Sequence, residues 1–406
     1  MSDPQVFSYG RSLHRVAWEA EGLACIVTRM NEKSTGELHG EVQWVITLTD
    51  PPRHMHRGRH NLLSAKGKTD VARALGNFGG WPDVDWNSLV EQAFELVTRA
   101  HREGTPLVDA GDGDEPEAAL YRLDPLIVDG QANLIFGPGG NGKSYITMLA
   151  SVLVQTGQHS LGFSPEPGRV LYLDYETDEA VFKRRLGGIA RGFGLEERPH
   201  LLYRRMESTI SGELATLQRI VAEKVIQLVI VDSALYACGG EPENAAVTGA
   251  YFNALRSLGC TTLTIAHTPN AERKAFGSVF WQNAPRNVWE VRGVPDTERG
   301  IINVGLFHRK SNDEGLRRPI GIEIAFREIS GEKSVAFGRA ELMDDPELAA
   351  GVSLRERITH LLKRGALTPV EIVDTLEAPD SSVRVTLSRG ENKSFVRLGP
   401  KWGLSK

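Results

Sequence analysis

Gly137-Pro138-Gly139-Gly140-Asn141-Gly142-Lys143-Ser144 follows the apolar run ANLIF (132–136) and precedes a stretch with Ile146, Leu149, Ala150 and Leu153 at helical spacing. Strand, glycine-rich turn and helix in that order fit G-x-x-x-x-G-K-[ST], the phosphate-cradling loop. The glycines admit positive φ and let successive backbone N–H groups converge on phosphate oxygens, while the helix adds its positive N-terminal end. Lys143 then supplies a point charge for the β- and γ-phosphates, and Ser144 an oxygen ligand for Mg²⁺. Gly137, Gly139, Gly140, Asn141, Gly142, Lys143, Ser144 and Tyr145 form the expected nucleotide-binding set.

Around this loop, residues 125–328 alternate short apolar runs with helical stretches, as a mostly parallel α/β sheet with crossover helices requires. The expected strands are 132–136, 170–175, 201–206, 228–232, 262–267, 287–291, 301–307 and 321–326. Asp232 closes the run Leu228-Val229-Ile230-Val231, where a carboxylate would hold the metal's water shell together with Ser144. The next residue is Ser233 rather than Glu, so the water-activating base has to come from another strand. Leu171-Tyr172-Leu173-Asp174-Tyr175-Glu176 delivers carboxylates to the same carboxyl edge of the sheet, where ligands of open α/β folds bind. Glu176 is the expected base; Asp174 and Asp178 are rivals, and Thr177-Asp178 also reads as an N-cap. His267 ends a third strand, TLTIAH, and is expected to sense the γ-phosphate or the attacking water.

Length and composition agree with a multidomain folded chain: 406 residues, 41% hydrophobic, 24% charged, formal net charge −5. Nucleic acid would therefore have to meet local basic surfaces, since the whole-chain field does not attract it. Three widely spaced cysteines, with no C-x-x-C pair, suit reduced thiols and a cytoplasmic setting, and no apolar run is long enough to span a bilayer. Residues 1–108 read as a small α+β unit, with a hairpin over 23–30 and 41–48 and a helix carrying Trp86, Leu89, Val90, Ala93, Phe94 and Val97 after Asp83 as N-cap. Within it, RHMHRGRH (53–60) reads as a solvated or phosphate-contacting loop; His54, His56 and His60 lack Cys or acidic partners at metal-ligand spacing. The acidic segment 109–124 is expected to be a linker, and 329–352 a connection. The last unit, 353–406, carries ten Lys/Arg against six Asp/Glu, a local charge of +4. Its three helices and terminal hairpin resemble a winged helix-turn-helix, with Ser381 to Arg389 as the reading helix and Lys401 on the wing.

The P-loop, YLDYET (172–177), LVIVDS (228–233), TIAHTP (264–269) and FGSVFWQNAPRNVWEV (276–291) together resemble the RecA-like superfamily, and specifically the RepA-like hexameric helicase ATPases. The resemblance covers roughly half the chain and does not reach the N-terminal unit. It implies a RecA-like core that hydrolyses ATP with Mg²⁺, Glu176 activating water, and a homo-oligomeric ring, a hexamer by family habit. ATP would lie between subunits, with Arg286 as a basic finger toward a neighbour's nucleotide and Arg309-Lys310 as a second basic pair. The stretch Thr268 to Phe280, with Arg273, Lys274 and Phe276-Gly277-Ser278, resembles the loop facing the central channel, which would track single-stranded DNA. Three activities stay open at this point: a replicative DNA helicase, a recombination ATPase without unwinding, and an ATP-gated DNA-binding regulator or loader.

Overall fold

The computed structural model describes residues 2–9, 13–49, 52–81, 83–104, 109, 111, 121–268, 279–312, 314–329 and 331–405. The N-terminal unit is an antiparallel meander whose strands Gln5–Tyr9, Leu13–Trp18, Leu23–Glu32, Leu38–Ile46 and Arg53–Asn61 lie in chain order. Helices Ala65–Phe78 and Trp86–Glu103 cover one face, burying Trp18, Trp44, Leu75 and Phe94. Two expectations are corrected here. The helix N-cap is Asp85, which accepts from the Asn87 and Ser88 N–H groups, and not Asp83. RHMHRGRH is the edge strand of the sheet rather than a loop; its charges face solvent along an unpaired edge, a composition that blunts edge-to-edge association.

In the central unit the strands are β1 (Ala132–Gly137), β2 (Arg169–Asp174), β3 (Leu202–Arg205), β4 (Ile226–Asp232), β5 (Thr261–His267), β6 (Asn287–Asp296), β7 (Ile301–Ser311), β8 (Ile320–Ile329) and β9 (Glu332–Arg339). They form one sheet in the order β3-β2-β4-β5-β1-β6-β7-β8-β9. The first six are parallel and the last three antiparallel. Helices α1 (Lys143–Thr156) and α2 (Glu179–Gly192) pack on one face, α3 (Leu214–Lys224) and α4 (Ala245–Arg256) on the other. Because both faces are covered, the strands are continuously apolar while still alternating inside: Ile135, Tyr172, Ile230 and Ile265 serve the first layer, Leu134, Leu171, Val229 and Val231 the second.

The segment read as a connection contains β9, which pairs with β8 over eight residues and extends the central unit to Arg339. Its sequence EKSVAFGR buries little beyond Ser334 and Val335, so it carries no apolar run to announce a strand. At the other boundary, Tyr121–Asp124, expected in the linker, pairs with Ile127–Val128 and Ser164–Pro165 in a small sheet that buries Leu123. Residues 353–405 fold as helices Leu354–Leu362, Pro369–Leu376 and Asp380–Gly390, then an antiparallel ribbon of Phe395–Leu398 and Lys401–Leu404, around Ile358, Ile372, Val383, Leu387 and Phe395. No helix among the described residues is long and apolar enough to cross a membrane.

Candidate active site

The parallel register decides what meets at the carboxyl edge. β2, β4, β5 and β1 are consecutive neighbours, with Asp174 opposite Asp232 and His267 opposite Gly137, so the four strand ends form one row. Beyond Gly137 the chain turns through Gly140 (φ +77°) and Gly142 (φ +79°) into α1. A side chain at Gly142 would strike Ile324 Cδ1 at 3.0 Å as well as strain the backbone, so this turn requires glycine. Lys143 is buried at 4% exposure, and its ammonium donates to the Gly137 and Pro138 carbonyls at 2.8 and 2.6 Å. Burial pulls its pKa down to about 8 against the opposing pull of Asp232 and Glu176. Tyr145, two residues on, meets Phe326 edge-on at 5.1 Å.

Asp232 ends β4 almost wholly buried. Its Oδ2 accepts a 2.7 Å hydrogen bond from the Tyr172 hydroxyl, which also lies 3.3 Å from Thr147 Oγ1 on α1. Its Oδ1 is buried with no partner among the described residues. Burial raises the carboxyl to about pKa 6, with the Tyr172 and Ser144 hydroxyls opposing. An orphaned carboxylate oxygen beside the hydroxyl of Ser144 is a donor set of the kind a hydrated Mg²⁺ takes, so the residues fit that ion.

Glu176 stands at the middle of the row, one-third exposed. Its Oε1 accepts from Ser233 Oγ at 2.5 Å and pairs with His267 Nε2 at 2.9 Å. The His267 hydrogen bond, ahead of that from Ser233, holds its pKa at about 2 against the cost of burial. Asp174, one of its rivals, fixes the turn instead: Oδ1 accepts from the Glu176 and Thr177 N–H groups at 2.9 and 2.8 Å, and Oδ2 from Thr177 Oγ1. Asp178, the other, caps α2 through the Val181 N–H. An ionised carboxylate is thus oriented by two neighbours, Ser233 and His267, and partly open to solvent.

Arg286 does not join this group within the chain. It is exposed, and its N–H donates to the carbonyl of Ala132 at the start of β1, about 17 Å along the strand from Gly137. Arg309 is held by Glu290, which also binds Arg292, and both guanidinium groups lie over Phe307. Lys310 donates to the Asn283 and Pro285 carbonyls. The second basic pair is therefore engaged inside its own chain. Of the stretch expected to face a channel, 269–278 lies outside the described residues.

Sequence reasoning missed four participants. Tyr172 reads as one more apolar strand residue, Thr147 as a helix position, and Ser233 only as the absence of a glutamate. Gly293 on β6 is the fourth: a Cβ there would fall 2.7 Å from Asn141 Cα and O, so the phosphate loop rests on that glycine.

Sheet order, phosphate loop and the row of strand-end carboxylates define a RecA-like P-loop domain of the nucleotide-hydrolysing ATPase type. Residues 98–273 match the family model described as an AAA domain, which is under half of the chain. The crystal structure of a KaiC-like protein from the hyperthermophilic archaeon Pyrococcus horikoshii is similar at a TM-score of 0.37 and 15% identity, covering 54% of this chain and 99% of that one. No curated protein matches the chain.

Proposed function

We propose that the protein is an Mg²⁺-dependent ATPase acting on DNA, working as a ring-forming motor of the RepA-like replicative helicase type. The observation that carries the catalytic part is Glu176, ionised, oriented by Ser233 and His267, and set in the same row as Lys143 and Asp232. A carboxylate so placed accepts the proton of a water aligned on the γ-phosphorus, and Lys143 offsets the charge that develops on the phosphoryl oxygens. Ser144 and Asp232 would hold Mg²⁺, which would supply charge neutralisation at the phosphate oxygens. His267, bonded to the base, couples its position to that of Glu176. Support for a DNA partner is the resemblance of the motif series and the +4 terminal unit, whose three helices and ribbon are the elements expected of a winged helix.

A basic finger contributes about 10³–10⁵ in rate where one is used. Arg286 serves as that finger only across a subunit boundary, because its own chain places it at the far edge of the sheet. The deciding experiment is steady-state ATP hydrolysis with and without single-stranded DNA, alongside Glu176→Gln. DNA-stimulated turnover that the variant abolishes supports the motor, and a forked substrate then tests unwinding. Full turnover in the variant refutes the base; slow turnover indifferent to DNA refutes the motor and favours an ATP-gated DNA-binding regulator.

A further inference from the structure

A cleft of about 960 Å³ opens between the outer antiparallel strands of the central sheet and the first helix of the terminal unit. Arg318, just before β8, and Arg339, at the end of β9, stand on the sheet side; Arg355 and Lys363, on and just after helix Leu354–Leu362, stand opposite. Against them the lining offers two carboxylates, Glu341 and Glu356, and Glu356 already accepts from Ser353 Oγ in the helix cap. Arg318, Arg339 and Lys363 make no ion pair among the described residues, although the Arg339 guanidinium packs against Gly162 at the cleft's flank, whereas Arg309 and Arg317 of the same lining are paired with Glu290 and Glu314. Arg384 on the third helix, the expected reading helix, is likewise engaged, by both oxygens of Asp380.

On a chain of net charge −5, cations without an ion-pair partner on both walls of a cleft are a local positive field. Its complement is a polyanion narrow enough to enter. A volume in the range of small-ligand sites excludes a duplex but accepts a few nucleotides of one strand. Leu316, 63% exposed on the lining, adds an apolar surface for a base. We infer that this cleft is a backbone track for single-stranded nucleic acid, with Arg318, Arg339 and Lys363 as phosphate contacts. The inference rests on the DNA reading above, and adds a contact surface whose lining contains no residue of the phosphate loop or of the expected channel loop.

The test is fluorescence anisotropy of a labelled 30-nucleotide single strand, and of the matching duplex, with the full chain over a salt series. In Arg318→Glu/Arg339→Glu/Lys363→Glu, single-strand affinity is expected to fall at least tenfold and the slope of log K against log salt to shrink by about 2, at about 0.7 per phosphate contact. DNA-free ATP turnover and the melting temperature should stay at wild-type values. The single variants Arg318→Glu and Lys363→Glu each give a partial loss, which keeps the test valid if the triple variant unfolds. Wild-type binding that the charge reversals leave unchanged, or a loss confined to the duplex, overturns the track while leaving the DNA reading in place. Absence of any binding by the wild-type chain overturns both.

Discussion

Replacing Tyr172 with Phe removes one oxygen from a fully buried site and nothing else. The bonds lost are the 2.7 Å donation to Asp232 Oδ2 and the longer 3.3 Å one with Thr147 Oγ1, of which only the first depends on the charge of Asp232. With the carboxylate ionised, such a bond contributes about 1.5–3 kcal/mol; with a neutral carboxyl it contributes about 1 kcal/mol. Asp232 titrates near 6 in the folded protein against 3.8 unfolded, so its charge costs roughly 3 kcal/mol above pH 6 and nothing well below pH 4. Tyr172 is among the groups that hold that pKa down, so its removal raises the pKa further and enlarges the cost only where Asp232 is charged. The variant is expected to lose about 2 kcal/mol at pH 7.5 and about half as much at pH 5, seen as a melting-temperature drop of about 4–8 °C that halves on acidification. Paired thermal melts of wild type and variant at the two pH values cancel every other titration. An equal loss at both pH values, or no loss, would refute the claim that the Tyr172 hydroxyl stabilises the ionised form of Asp232.

Nucleotide binding at pH 8 should take up protons, because Lys143 is half-deprotonated there in the free protein and a bound phosphate favours its charged form; calorimetry in two buffers of different ionisation enthalpy measures the uptake. Glu176→Gln should lower ATP turnover by about 10²–10⁴ while nucleotide affinity stays within about twofold, read by single-turnover kinetics and equilibrium binding. With Glu176 held at about 2, protonation of the base should give the turnover profile at saturating Mg²⁺ no acid limb above about pH 4, and a limb near 6 that Glu176→Gln removes would contradict the ionised state of the base. Gly293→Ala should weaken nucleotide binding at least tenfold with a melting shift under about 5 °C, since its methyl group displaces the Asn141 backbone rather than a core side chain.

What the sequence made legible is what parallel-sheet physics writes in local runs. Strands covered on both faces are largely apolar, so the polar residue that closes each run marks the carboxyl edge: Asp174, Asp232 and His267 stand there, with Glu176 two residues past Asp174. The phosphate loop is equally local, fixed by glycines that must take positive φ. Illegible were contacts between distant segments. Tyr172 is an ordinary β residue until β4 and α1 bring Asp232 and Thr147 to its hydroxyl. Nothing near Arg309 announces that Glu290, nineteen residues earlier, neutralises it. Arg53–Asn61 and Glu332–Arg339 are edge strands whose exposed charge imitates loop composition, so hydrophobic periodicity is weakest where the sheet meets water.

The placement of Arg286 constrains any assembly in which it reaches a phosphoryl group. The carboxyl edge holds Lys143, Glu176, Asp232 and His267, and the amino edge holds Arg286, about 17 Å away along β1. A two-fold dimer that packs this flank of the sheet antiparallel on its own copy sets each chain's Arg286 beside the other's carboxyl edge and serves both sites at once. A heterologous contact, with the amino side of one chain on the carboxyl side of the next, does the same for each successive pair. Repeated, that contact closes a ring or runs on as a filament. Catalytic use of Arg286 and self-association therefore stand or fall together, and a chain that hydrolyses ATP at full rate as a monomer would show that it needs neither.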